Sequence, residues 1–329
     1  MNRRDVLRYG WGTAVLAITP LPVCFAQTKY PERPIRLVVP FAPGGSTDVL
    51  SRKLAAKLGP LLGESIVVDN KSGAAGAIGA SEVARARPDG YTLLMGTTST
   101  HALNPLIMAN PSYDAIKDFS AIAMLGTQAM SIAVNPTLPV RSLAELVTLL
   151  RANPGKYSYG SSGAGGIAHL AGELFKLKAG NLDMVHIPYK GGGPAMQDVI
   201  AGHIPIISDS FSSTYAQHRT GRLRVLAMTG EKRSPAAPEI PTAVEAGVAG
   251  VVASTAGILL APARTPQPLI HMLDQAMQKV MADDSFLKDL EALSIEPAID
   301  YGPEKTTAYI KSEISKWAPV VEAARARIG

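Results

Sequence analysis

Cysteine is all but missing. The single residue, Cys24, sits in an N-terminal stretch that reads as an export signal, so the mature chain has no disulfide, thiolate nucleophile or cysteine metal ligand to account for. Aromatics make up only 5% of the residues, and outside that stretch Trp317 is the only tryptophan. Sugar and peptide binders need stacking platforms, and this composition supplies few. The six histidines are scattered without close pairs, and with no compact acid cluster beside them no metal site is expected. Beyond the N-terminus no apolar run is long enough to span a bilayer.

Residues 1–26 combine Arg3, Arg4 and Arg8 with an apolar run from Trp11 to Ile18, the layout of a signal peptide. Cys24 and Ala26 are the small residues a signal peptidase inspects, which puts the cut before Gln27 and the mature protein in the periplasm. The Arg3-Arg4 pair followed by Val6-Leu7 also resembles a twin-arginine signal, so both export routes stay open. A lipoprotein reading through Cys24 fits less well, because Val23 and Pro22 stand where a lipobox has other residues. The segment carries three Arg and one Asp, so its loss takes the net charge from +5 to +3. That mild excess attracts small anions and is too weak to grip nucleic acid.

The remaining chain of about 300 residues is too long for most single cores, and its strand and helix patterns alternate as in a parallel sheet covered by helices. Ile35–Phe41 reads as a buried strand, Pro43–Ser46 as a turn and Thr47–Leu62 as a helix; strand Ser65–Asp69, helix Gly76–Ala86 and strand Tyr91–Gly96 follow. The apolar stretch Ile122–Val134 is long enough to cross between two lobes. A second set then begins with a helix over Ser142–Ala152, N-capped by Ser142 with Glu145 completing a capping box. Its strands are Tyr157–Gly160, Met184–Pro188, Ile204–Ser208 and Leu223–Met228, with helices starting near Ile167, Pro194 and Ser213. The tail, with helices over Leu269–Leu293 and Pro303–Ala324 around a short strand at Ile295–Ile299, is expected to return to the first lobe. The division is therefore domain 1 over 27–126 and 230–329 and domain 2 over 127–229, with hinge crossings near Gly126–Ser131 and Thr229–Ser234.

Three strand-to-helix junctions are rich in Gly and hydroxyl residues: Ala42-Pro43-Gly44-Gly45-Ser46-Thr47-Asp48, Ser161-Ser162-Gly163-Ala164-Gly165-Gly166 and Tyr189-Lys190-Gly191-Gly192-Gly193-Pro194. In open α/β sheets ligands bind at the carboxyl ends of strands, where helix N-termini offer unpaired N–H groups and a positive dipole end; a carboxylate or phosphate is the natural guest. One such loop is explained by tight turn geometry alone. Loops of this kind in both lobes point to function. Asp48 would repel an anion unless it accepts from the loop's own N–H groups, which makes it a capping residue. Lys190 is a candidate counter-charge, or simply a solvated lysine.

Enzyme readings fit less well. Ser162 lies between Gly160 and Ala164, so a nucleophile elbow is missed by one Gly, and no local His–acid pair supports it. Gly163, Gly165 and Ala168 match a relaxed dinucleotide fingerprint, but the next strand ends at Pro188-Tyr189-Lys190 without the ribose-binding acid, so no cofactor is expected. His169 packs on or caps its helix, and His101 is a candidate for the cleft wall.

The segments PIRLVVPFAPGGSTDVLSRKLA from Pro34, VVDNKSGAAGAIGASEVARARPDGYTLLMGTTSTHALNP from Val67, YGSSGAGGIAHLAGELF from Tyr159, VHIPYKGGGPAMQD from Val185 and GRLRVLAMTGEKRSPAAPEIPTAVEAG from Gly221 together resemble the Bug family, the extracytoplasmic receptors of tripartite tricarboxylate transporters. The resemblance covers essentially the whole mature chain. It implies an α/β, two-lobed Venus-flytrap fold of the type II periplasmic-binding-protein kind, a monomer that holds a small carboxylate with loop amides and ordered water and delivers it to a membrane permease, and no enzymatic activity. Carried onto this chain, the first-lobe contacts are Phe41, Ala42, Pro43, Gly44, Gly45, Ser46, Thr47 and Asp48, with Thr97 and Ser99. Those of the second lobe are Ser161, Ser162, Gly163, Ile167 and His169, with Tyr189 and Asp209 near the crevice. One departure stands out: relatives commonly carry an Asp shortly after the Gly202 turn, where this chain has Pro205. Two other readings accompany the receptor: a periplasmic sensor that presents its closed form to a signalling partner, and a hydrolase using Ser162.

Overall fold

The computed structural model describes residues 30–299 and 302–328; the expected signal peptide and its cut before Gln27 lie outside the described residues. Ile35–Val39 (β1) is apolar and buried except at Arg36, as a strand covered on both faces must be. It pairs in parallel with Ile66–Asn70 (β2) on one side and Thr92–Thr97 (β3) on the other. The connecting helices are Ser46–Leu62 (α1) and Ala77–Ala84 (α2). Helix α1 turns Leu50, Leu54 and Leu58 inward and stops at Gly63, whose left-handed φ of 82° lets its N–H cap the Gly59 carbonyl. A π-helical turn over Ser99–Leu103 and the short helix Asn104–Ile107 (α3) follow β3.

Phe119–Val134 (β4) joins the two halves of the sheet. Its first part, Phe119 to Ala129, runs antiparallel to Ser254–Pro262 (β9), and Met130–Val134 then lies between Ile206–Ser210 (β7) and Arg224–Met228 (β8). The second half also contains Leu143–Ala152 (α4), Ser158–Ser161 (β5), Ile167–Lys178 (α5), Val185–Pro188 (β6), Gly192–Ile200 (α6) and Phe211–Arg219 (α7). Strand β5 pairs in parallel with β6 and β7, so the sheet runs β2-β1-β3-β9-β4-β7-β5-β6. The tail adds Gln267–Met281 (α8), Asp284–Ala292 (α9), Ile295–Pro297 (β10), which pairs with β4 at Gly126–Gln128, and Pro303–Ile328 (α10). Among the described residues no helix is long and apolar enough to cross a membrane.

Each half buries its own side chains. Val38, Leu94, Ile258 and Leu260 form a core in the first, while Leu146, Phe175 and Ile206 and, on the other sheet face, Val199, Ile207 and Phe211 form cores in the second. After β8 the chain stays with the second half: Ala237 and Ile240 enter the Phe211 core, and Ala243, Val248 and Val251 enter the Phe175 core. It crosses back only at Ser254. Both crossings meet in one buried knot, where Thr229 N–H donates to the Met130 carbonyl (2.8 Å), Ala253 N–H to the Thr229 carbonyl (2.9 Å) and Thr229 Oγ1 to the Ala253 carbonyl (2.6 Å).

Three local expectations change. Strand β9 was not anticipated, although it sits between β3 and β4. The single helix expected over Leu269–Leu293 is two, because Asp283 stops α8 and caps α9 by accepting from Phe286 N–H (2.8 Å). At α4, Ser142 Oγ accepts from Glu145 N–H (3.2 Å) as expected, but the Glu145 carboxylate reaches Arg141 N–H (2.7 Å), one residue upstream of the reciprocal bond a capping box makes.

Candidate functional site

The turn after β1 passes through Gly44, whose φ of 84° suits glycine, and enters α1 at Gly45, which offers no side-chain cap. Asp48 faces back into the turn. Its carboxylate accepts from Gly44 N–H (3.0 Å), Asn70 Nδ2 (3.0 Å) and Arg52 Nε and Nη2 (3.0 and 2.9 Å). Burial pushes its pKa up, and the bonds from Arg52, Gly44 and Asn70 outweigh that and hold it below the usual carboxylate value. The acid is thus spent on shaping the turn, leaving Gly45, Ser46 and Thr47 to line a pocket beside it.

At the end of β3, Thr97 and Ser99 form the next part of the wall. Both are buried, and Ser99 Oγ accepts from the first N–H of α5, at Ile167, 2.9 Å away in the other half of the molecule. In the second half three N–H groups of the Ser161–Gly166 loop are spent locally. Gly163 N–H reaches Ser161 Oγ (3.3 Å), Gly165 N–H reaches His169 Nδ1 (3.1 Å) and Gly166 N–H reaches the Gly163 carbonyl (3.3 Å). The expectation that this whole loop points its N–H groups into the crevice is therefore met only in part.

Two imidazoles brace that loop. His186 Nε2 lies 2.7 Å from Ser161 Oγ, and its ring stacks on His169 with centroids 3.9 Å apart. Burial first, then His169 and Lys176, hold His186 down to about 3, so it is neutral at physiological pH; burial also lowers His169. The histidines thus do include a close pair, made by the fold and invisible as a sequence spacing. Ser161, bonded to the imidazole, is fully buried, which suits a brace better than a nucleophile.

The pocket between the halves is lined by Phe41, Gly45, Ser46, Thr47, Thr97, Ser99, Met130, Ser162, Ile167, Gly192, Asp209, Ser210 and Thr255. It spans ≈ 390 Å³ out to its mouth. Helices α1, α5, α6 and α7 all begin at it, none capped by its own N-cap side chain, and only α5 has its first N–H taken by a hydroxyl, that of Ser99. Among the described residues no Lys or Arg lines it; its charge is that of Asp209, whose pKa burial raises to about 6. The halves touch around it: Ser46 Oγ is 2.8 Å from Ser210 Oγ, and Ala42 N–H donates to the Lys190 carbonyl at 3.3 Å.

Other candidates from the sequence stand outside this wall. Ala42 makes the contact just described, and Pro43 and Gly44 are exposed at the rim. Ser161 and Gly163 lie in the braced loop, and His169 braces it from α5. Tyr189 donates to Asp198 (2.6 Å), Lys190 turns its side chain to solvent, and His101 is sealed in the first-half core against Phe119. Pro205 precedes β7, at the opposite end of that strand from Asp209, so the departure it represents is remote from the pocket. Met130, Gly192, Ser210 and Thr255 were not anticipated. Gly192 was visible in a glycine junction, whereas Thr255 belongs to the unforeseen strand.

The family model for the tripartite tricarboxylate transporter family receptor matches residues 50–325. Protein BugT of Bordetella pertussis is 35% identical over 300 residues, covering 91% of each chain. An R. palustris protein solved with adipate superposes with a TM-score of 0.86 at 34% identity, covering 90% of this chain and 98% of that one. MatC from Rhodopseudomonas palustris, solved with bound malate, gives 0.83 at 28% identity, covering 89% and 100%. Similar structures include periplasmic binding proteins, and the two-lobed α/β architecture is theirs as well. With β4 carrying one sheet through both lobes and helix N-termini gathered where they meet, this chain belongs to the tripartite tricarboxylate transporter receptor family, the extracytoplasmic solute-binding proteins of the Bug type.

Proposed function

We propose that this protein is a periplasmic receptor that captures a small organic acid between its lobes and, as a monomer, hands it to the permease subunits of a tripartite transporter. One observation carries the reading: four helices from both lobes start at one pocket, and those of α1, α6 and α7 have no side-chain cap, so uncommitted N–H groups and positive dipole ends converge on it. Hydroxyls of Thr47, Thr97, Ser99, Ser162, Ser210 and Thr255 supply further donors. Neutral donors can hold a carboxylate without lysine or arginine, because a dry site strengthens each bond. The acids bound by the adipate and malate relatives carry the negative charge such a site suits.

The same reading assigns the lobes as 31–129 with 254–328 and 130–253, because residues 237–251 pack in the second lobe. The Met130–Thr229–Ala253 knot is then the hinge. The bonds across the lobes from Ser46 to Ser210, Ala42 to Lys190 and Ile167 to Ser99 make this the closed form, which a guest enters only after the lobes part. Thermal-shift screening of di- and tricarboxylates, aromatic acids and acidic amino acids should raise the melting temperature for at least one class. Silence across the panel would contradict the proposal.

A further inference from the structure

We propose that Asp209 selects the guest, by accepting a hydrogen bond from a hydroxyl or amino group that the organic acid carries in addition to its carboxylate. This rests on the carboxylate reading above and narrows it to donor-bearing acids. Asp209 is 3% exposed and forms part of the pocket wall. Its Oδ2 is sealed from solvent and has no hydrogen-bond partner among the described residues. Nearby hydroxyls are engaged elsewhere: Ser131 Oγ donates to the Asp209 main-chain carbonyl (3.1 Å) and pairs with Thr214 (2.6 Å), while Ser210 meets Ser46. Gly192 leaves room for the carboxylate, since a Cβ there would fall 2.1 Å from Oδ2.

A buried acid without a counter-charge, placed where helix N-termini gather to receive an anion, is costly twice over. It forfeits its own solvation, and it repels the guest. Burial raises its pKa to about 6, and in its ionised form the carboxylate can only accept. A guest that brings a proton to Oδ2 removes both penalties; an unsubstituted acid leaves the oxygen unpaired. Family membership does not decide the matter, because adipate, held by one relative, has no such donor and malate, held by another, has one.

The test is isothermal titration of the mature protein at neutral pH with matched acids: succinate, malate and aspartate; glutarate, 2-hydroxyglutarate and glutamate; phenylacetate and mandelate. In each series that binds, the donor-bearing member is expected to bind at least about tenfold more tightly than its parent, and the hydroxyl and amino arms show which donor is used. In Asp209→Asn, whose amide can donate to a carboxylate, the plain acid should gain and the preference vanish. If that variant does not fold, the wild-type pairs decide alone. Parity between parent and donor-bearing acids, or a preference that survives in Asp209→Asn, overturns this inference and leaves the receptor reading standing. Silence across all the series overturns both.

Discussion

Asp48 shows how a single acid can help build an anion site. Its carboxylate is tied to Gly44 N–H, Asn70 and Arg52, so its charge is consumed in holding the turn open for Ser46 and Thr47. Losing charged hydrogen bonds at a buried position costs about 1–3 kcal/mol; the Arg52 share is at the low end because that guanidinium is half exposed. Asp48→Asn should lower unfolding stability by about that amount at neutral pH, measured by denaturant titration. Because the folded-state pKa is depressed, the contribution is complete above the unfolded value of 3.8 and is lost as pH falls through the folded one. The gap between variant and wild type should therefore narrow towards pH 3, and a constant gap would contradict this role. The capping role was legible in the sequence, since an acid three residues past Gly45 has donors within reach. The bond from Ser161 to His186 was not, because it joins neighbouring strands whose pairing only the fold decides.

At the scale of elements, the βα units were readable wherever an apolar run was followed by a Gly-rich turn and a helical period, as in β1, α1 and β2. Strand β9 escaped because STAGILLAP is a continuous apolar run with small residues at its start, and such a run carries no period that separates strand from buried helix. Thr255 went unnoticed with it. The start of α6 gives the sharpest test at this scale. A Cβ on Gly193 would stand 2.6 Å from the Pro43 carbonyl oxygen in the opposite lobe, a clash with main chain that parting of the lobes would relieve under the proposed capture by closure. Gly193→Ala should keep the wild-type melting temperature without ligand to within the effect of about 1 kcal/mol, since Ala also favours helix. Its affinity for the guest, measured by isothermal titration, should fall at least about tenfold. Unchanged affinity would mean that α6 does not close on the first lobe in the bound state.

For the molecule as a whole, one buried cluster joins α10 to side chains of both halves. Trp317 is 2% exposed there, in a cluster with Leu103, Val321, Ile167 and Leu170, side chains contributed by both lobes. It is also the only tryptophan after residue 26, so its fluorescence reports this interface alone. Ligand should shift its emission to shorter wavelength as the interface dries. Gly193→Ala should show little shift at the same ligand concentrations. An emission unchanged by a ligand that binds would show that the lobes do not move around this contact.

The convergence of helix N-termini from two lobes on one anion is tested most directly by a crystal structure with the acid that gives the largest thermal shift. The carboxylate oxygens are expected within about 3.2 Å of main-chain N–H groups at the starts of α1 in one lobe and of α6 or α7 in the other. A guest held by one lobe only, or seated in the groove between Glu231, Lys288 and Glu296 on the hinge side, would contradict it.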